Sequence, residues 1–184
     1  MRLFAAIPVT GSALEDMSHL LGDLRREPWP VRWVGPDGLH VTLKFFGEVD
    51  PRGLTPIEEA LRGAVEGVPP MAMTLTELSA FPDQGRPRVI WVGLEGPVGL
   101  ELLADRVERR CAVLGYPPEG RPFRPHVTLG RVRTGARLRP EVMARLGEIE
   151  LGGGFVADEL VLYESQLGKD GARHLRRGAY ELRP

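Results

Sequence analysis

The order of apolar and polar residues predicts a chain in which strands and helices alternate from the start. Residues 2–9 (RLFAAIPV) form an apolar run of strand length, and residues 11–26 carry leucine and methionine at helical spacing. Residues 31–34 and 39–49 are rich in β-branched and aromatic side chains, and the Gly-Pro-Asp-Gly between them predicts a turn. We therefore expect these two segments to pair as a β-hairpin.

The rest of the chain continues this alternation. Thr55 followed by Pro56 is a favourable helix start, and the apolar stripe that follows ends at Gly67. The later elements are predicted as strands 71–81 and 88–94, a helix over 98–114, a strand over 123–132, a short helix over 139–147, and strands 155–165 and 172–182. Since no linker or low-complexity tract divides residues 1–184, we predict one α+β domain with two pseudo-symmetric strand-rich lobes, helices outside and a central cleft.

Composition narrows the possible functions only a little. The formal net charge of −1 removes any general attraction to nucleic acid, so phosphate binding would have to come from local clusters of basic residues. A single cysteine, Cys111, excludes an internal disulfide and fits a reducing compartment. The amino terminus has no signal-peptide pattern and no apolar run spans a membrane, so a cytoplasmic protein without a membrane partner is expected.

One internal repeat carries most of the functional information. The segment LHVTLKF at residues 39–45 is echoed by PHVTLGR at residues 125–131, in a chain with only four histidines. Because side chains two residues apart in a strand share a face, His40 and Thr42 point to one side while the valine and leucine point to the core. His126 and Thr128 follow the same pattern. We therefore expect each lobe to present one imidazole and one hydroxyl.

A pair of imidazoles suits acid-base chemistry at phosphorus. Histidine has an unperturbed pKa near 6.5, so at neutral pH one ring can accept a proton while the other donates one. Hydrolysis of a cyclic phosphate needs both steps, one at the attacking water and one at the departing ribose oxygen. Thr42 and Thr128 are then expected to donate hydrogen bonds to the phosphate oxygens.

Other readings of the repeat are weaker. A lone histidine in an apolar strand is most often structural, but chance duplication of His-Val-Thr-Leu is improbable. A zinc site would need a third ligand, and neither motif carries an acidic residue at a suitable spacing, so no metal or cofactor is expected. The remaining histidines, His19 and His174, lack the motif and are assigned to surface or structural roles, and the tryptophans to core or lobe-interface roles.

A basic segment surrounds the second motif. Arg124 has the parity of His126, whereas Arg131 has the opposite parity and would need a bulge near Gly130 to face the cleft. These two are the best candidates for contacts with an RNA backbone, the alternative being a solvated basic face. No acidic residue occurs between Gly120 and Pro140, where the arginines are Arg121, Arg124, Arg131, Arg133, Arg137 and Arg139.

Two residues after the first motif share the parity of His40. Lys44 is a candidate cation for the phosphate, or a lysine at the rim of the cleft. Phe46 is a candidate for stacking on a nucleobase, or a core residue.

The repeated His-Val-Thr-Leu resembles the paired His-x-Thr motifs of the two-histidine (2H) phosphoesterases. Within that family the chain is similar to the RNA 2′,3′-cyclic phosphodiesterases, also called LigT-like proteins or 2′-5′ RNA ligases, and segments such as AFPDQGRPRVIWVGL and LVLYES extend the similarity over most of the sequence. The resemblance implies metal-independent hydrolysis of a terminal 2′,3′-cyclic phosphate to a 2′-phosphomonoester, with His40 and His126 as the acid-base pair. It also implies that the partner is RNA with such an end, including tRNA fragments.

Three questions remain open at this level. The sequence does not decide which histidine is the acid. It does not separate hydrolysis from 2′-5′ ligation of tRNA halves, or an enzyme from a non-catalytic module that binds RNA ends. A monomer is expected, although no residue pattern fixes the oligomeric state.

Overall fold

The computed structural model describes residues 1–82, 86–168 and 171–184. Its elements follow the predicted order to within a few residues, except that the predicted strand 155–165 is divided into two strands at Asp158. The elements are β1 (Arg2–Pro8), α1 (Gly11–Leu24), β2 (Val31–Trp33), β3 (His40–Glu48), α2 (Leu54–Val65), β4 (Met71–Phe81), β5 (Val89–Glu95), α3 (Val98–Ala112), β6 (His126–Val132), α4 (Pro140–Gly147), β7 (Gly154–Ala157), β8 (Glu159–Gly168) and β9 (Gly171–Glu181).

The strands form one antiparallel sheet with a symmetrical order. Eight of them run β7-β4-β5-β6-β3-β1-β8-β9, and β2 lies beside β6. We call β3, β1, β8 and β9 the first lobe and β6, β5, β4 and β7 the second lobe. β4 comes from the first half of the chain yet lies in the second lobe, where it pairs with β5. β8 comes from the second half of the chain and pairs with β1 in the first lobe. This arrangement confirms the predicted fold of two pseudo-symmetric, strand-rich lobes.

The apolar residues of the sheet and helices share one core. Val41 and Val127 are almost fully buried, and they belong to the same cluster as Met17 and Leu21 of α1. A smaller apolar cluster is separate from this core and lies beside His40. It is formed by Phe4, Ala6, Val161 and Tyr163. No helix in the described ranges is long and apolar enough to cross a membrane.

The predicted hairpin between residues 31–34 and 39–49 is wrong. β3 already pairs with β1 on one edge and meets β6 on the other, so β2 pairs instead with β6. The close approach of β2 depends on Gly130, where an added Cβ would lie 2.6 Å from Cγ1 of Val31 and 2.7 Å from the ring of Trp33. A glycine is therefore needed at this point of β6.

Both motif strands contain a bulge directly after the threonine. In β3 the partners step from Ala6–Thr42 to Ala5–Lys44, which leaves Leu43 without an opposite residue. In β6 they step from Trp91–Thr128 to Ile90–Gly130 in the same way. A bulge inserts one residue and shifts the parity of all that follows.

The bulge in β3 overturns the placement predicted for two residues. Lys44 and Phe46 do not share the face of His40, because the inserted residue turns both into the core, with exposed fractions of 1% and 8%. Phe46 packs edge-on against Tyr116. Phe45, between them, points away from the core, on the face of His40, and is 56% exposed.

Lys44 is held by an ion pair beneath the sheet. Its Nζ lies 2.5 Å from Oε2 of Glu108 on α3 and donates a second hydrogen bond of 2.6 Å to the carbonyl of Pro117. The side chains of Lys44 and Glu108 are 2% and 18% exposed. A buried ammonium without its counter-ion is costly, so this pair ties β3 to α3.

Replacing Glu108 with glutamine should destabilise the fold, because it leaves the buried Lys44 ammonium without a negative partner. We expect the free energy of unfolding, measured by urea denaturation, to fall by about 3 to 5 kcal/mol. Glu101→Gln, at an exposed position of the same helix, is the matched control and should change it by less than about 0.5 kcal/mol. Equal effects of the two substitutions would contradict a structural role for the ion pair.

Candidate active site

The two histidine motifs meet where β3 and β6 pair. Val41 lies opposite Val127 in antiparallel register, so His40 comes beside Thr128 and Thr42 comes beside His126. All four polar side chains are partly buried, whereas the two valines point into the core. The structure thus brings the four central residues predicted from the sequence together on one face of the sheet.

His126 is oriented by the backbone that precedes it. Its Nδ1 lies 2.8 Å from the carbonyl oxygen of Arg124, a distance at which the Nδ1–H donates a hydrogen bond. This fixes the ring and leaves Nε2 as the nitrogen available for proton transfer. The rings of Trp91 and Phe81 stand edge-on to it, with centroids 6.0 and 6.1 Å away.

His40 is surrounded by rings of the first lobe. The ring centroids of Phe4 and Tyr163 lie 4.8 and 5.9 Å from that of His40, and the centroid of His174 lies 5.4 Å away at 86°. Burial, with smaller contributions from the neighbouring His174 and His126, lowers the pKa of His40 to about 3. His40 is therefore neutral at physiological pH.

Several residues of the site were missed by the sequence analysis. Phe4, Tyr163 and Phe81 belong to strands without a histidine motif, and Trp91 had been assigned to the core or a lobe interface. His174 had been assigned to a surface or structural role, but its ring lies against His40. Phe4 lies in a continuous apolar run and is buried like Leu3 and Ala5 beside it, so the sequence held no signal for its place, and the position of β9 depends on contacts distant in sequence.

The arginines of the basic segment have different positions. The bulge that Arg131 required is present, so Arg131 shares the face of His126 and Thr128 and is exposed. It lies opposite Arg32 of β2, also exposed, which had not been singled out. Arg124 precedes the strand: its carbonyl orients His126, while its exposed side chain has no strand register to direct it. The side chains of Arg121, Arg133, Arg137 and Arg139 are exposed as well.

Two exposed arginines on facing strands repel one another unless an anion lies nearby. Arg32 and Arg131 therefore form a suitable place for a phosphate at the end of β6. Among residues 1–82, 86–168 and 171–184, no group of three or more histidine, cysteine or acidic side chains is arranged to hold a metal ion.

Comparison with known proteins identifies a family pattern in both halves of the chain. The pattern described as LigT like phosphoesterase matches residues 7–91 and again residues 92–174. An RNA 2′,3′-cyclic phosphodiesterase of Methanothermobacter thermautotrophicus is 32% identical over 150 residues, covering 82% of this chain and 80% of that protein. A protein of the same name from Geobacillus stearothermophilus is 32% identical over 168 residues, which is 90% of this chain but 52% of that protein. The chain thus spans about half the length of the Geobacillus relative.

A solved structure agrees with this result. The crystal structure of E. coli LigT complexed with 3′-AMP superimposes with a TM-score of 0.77 at 27% sequence identity. The superposition covers 98% of this chain and 97% of LigT. The similarity therefore extends through both lobes.

The buried His40 should make stability depend on pH. Because the folded-state pKa of about 3 lies below the unfolded value of 6.5, the contribution of His40 is complete above pH 6.5 and is lost as the pH falls toward 3. We expect the free energy of unfolding to fall more steeply between pH 6.5 and 4 in the natural protein than in His40→Gln, as measured by urea denaturation at each pH. Parallel curves for the two proteins would contradict the lowered pKa.

Proposed function

The chain belongs to the LigT like phosphoesterase family, and from this membership we propose that it hydrolyses the terminal 2′,3′-cyclic phosphate of RNA to a 2′-phosphomonoester. In this proposal His40 and His126 are the acid-base pair and no metal takes part. The observation that carries it is the pairing of Val41 with Val127, which sets one histidine and one threonine from each motif around a common point. The names of the relatives support the choice of substrate.

The reaction divides between the two imidazoles. One ring removes a proton from water as its oxygen attacks phosphorus, and the bond from phosphorus to the ribose O3′ breaks on the opposite side. The other ring gives its proton to O3′, which leaves the phosphate on O2′. Thr42 and Thr128 donate hydrogen bonds to the non-bridging oxygens, where negative charge must be stabilised.

The environment of His40 couples binding to protonation. Its low pKa keeps the ring neutral in the empty site, and the negative charge of a bound phosphate raises that pKa. Arg131 and Arg32 lie on the same face and would attract the RNA backbone toward the histidines.

Ligation uses the same site with a different nucleophile. A ribose hydroxyl in place of water would yield a 2′-5′ linkage, so products separate the two reactions. A module that only binds RNA ends would retain affinity without turnover.

Removing either histidine should abolish most of the turnover. We expect His40→Ala and His126→Ala each to lower kcat by about 100- to 10,000-fold, since each removes a positioned proton donor or acceptor. The assay follows release of the 2′-phosphomonoester from an oligoribonucleotide with a 2′,3′-cyclic end, with EDTA present throughout. Circular dichroism checks that the variants are folded.

The control for this experiment is His19→Ala, an exposed position on α1. Its rate should equal that of the natural protein, and the double histidine variant should lose much less than the product of the single losses. A silent His40→Ala or His126→Ala in a folded protein would refute the assignment, as would a requirement for added metal. If the natural protein binds the RNA end but does not turn it over, the binding module is favoured.

The facing arginines should determine the salt dependence of RNA binding. Each phosphate contact on a single strand contributes about 0.7 to the slope of log affinity against log salt. We expect Arg131→Ala and Arg32→Ala each to weaken binding and reduce this slope by about that amount, as measured by fluorescence anisotropy. Arg52→Ala, an exposed arginine paired with Asp50, is the control; equal slopes for all three variants and the natural protein would leave the basic face without a role in binding.

A further inference from the structure

The two lobes differ in how they hold their histidines. In the second lobe, Nδ1 of His126 donates to the carbonyl of Arg124 two residues before it. The corresponding residue before His40 is Gly38, which ends a 3-10 turn at Pro36–Gly38. The Nδ1 atom of His40 is buried and has no hydrogen-bond partner among the described residues. The first lobe therefore lacks the backbone acceptor that orients the histidine of the second lobe.

His174 lies where this partner is missing. β9 places it opposite Ser165 of β8, and its ring stands edge-on to His40 at 5.4 Å and to Phe4 at 5.0 Å between centroids. The Nδ1 atom of His174 is likewise buried and unpartnered within the described ranges. Buried polar atoms in folded proteins nearly always find a hydrogen-bond partner. The two nitrogens are not hydrogen-bonded to each other in this structure, but with ring centroids 5.4 Å apart a rotation of either ring in place would let them satisfy one another.

We propose that His174 is the positioning residue of His40: a small rotation of the contacting rings forms a hydrogen bond between their Nδ1 atoms, which replaces the backbone carbonyl of the second lobe. A neutral imidazole has one N–H and one lone pair, so one ring donates and the other accepts. Either direction fixes the plane of His40 and leaves its Nε2 for the phosphate. The catalytic part of this inference rests on the proposed function.

The surroundings of His174 allow the bond to persist when a phosphate binds. Burial lowers the pKa of His174, while the carboxylate of Asp37 opposes that shift, and Phe4 and Tyr163 close the sides of the ring pair. When the pair takes up one proton, an imidazolium N–H donates to the neutral neighbour, and a charge-assisted bond is shorter and stronger than a neutral one. Binding of an anion should therefore strengthen the contact.

Nuclear magnetic resonance tests the hydrogen bond without relying on activity. In protein labelled with ¹⁵N, we expect a scalar coupling between the Nδ1 atoms of His40 and His174, either in the free protein or with inorganic phosphate added. Its presence would support the proposal even if the protein does not hydrolyse cyclic phosphates. Absence of the coupling in both states would overturn it.

Matched variants test the effect on the reaction. His174→Phe keeps the edge-on ring but has no nitrogen, whereas His174→Asn keeps a hydrogen-bonding atom near the position of Nδ1. We expect His174→Phe to lower kcat by about 10- to 100-fold with KM changed less than about threefold, the scale for loss of a partner that orients a functional histidine. His174→Asn should recover most of that loss.

These variants also separate positioning from simple packing. A His174→Phe protein as active as the natural one would overturn the proposal, as would a His174→Asn protein no better than His174→Phe. If the natural protein has no activity on a cyclic-phosphate end, the proposed function fails, and the coupling between the two rings still decides whether His174 positions His40.

Discussion

The pairing of β3 with β6 is the constraint on which the rest of the site depends. Val41 and Val127 occupy equivalent places in the two motifs, so their antiparallel pairing puts the pseudo-symmetry axis between the two histidines. Strand side chains alternate, so a slip of either strand by one residue would turn its histidine into the core and its valine out of it. Burial of these valines at 1% and 0% exposure therefore keeps the imidazoles on the open face.

The remaining strands make this pairing part of one folding unit. Each lobe contains a strand from the other half of the chain, since β4 pairs with β5 and β8 pairs with β1. Neither half of the sequence can therefore complete a lobe alone. The ion pair between Lys44 and Glu108 adds a connection from β3 to α3 beneath the site, which limits movement of the strand that carries His40.

The sequence was sufficient for features set by local patterns. The faces of His40, Thr42, His126 and Thr128 follow from strand periodicity, and the helices follow from their apolar spacing. The features it did not reveal depend on residues far apart in the chain. The bulge that buries Lys44 and Phe46 arises from pairing with β1, the partner of β2 depends on space above Gly130, and the contact of His174 with His40 depends on β9 folding back beside β8. Only at Arg131 did parity identify in advance that a bulge was required.

The fate of the cyclic phosphate is tested most directly by an isotope experiment. An oligoribonucleotide with a 2′,3′-cyclic end is incubated with the protein and EDTA in water enriched in ¹⁸O, and the product is examined by ³¹P nuclear magnetic resonance and mass spectrometry. We predict one ¹⁸O atom in a 2′-phosphomonoester, formed by attack of water and departure of the ribose O3′. A 3′-phosphomonoester, a product without ¹⁸O, or an unchanged cyclic end would contradict it.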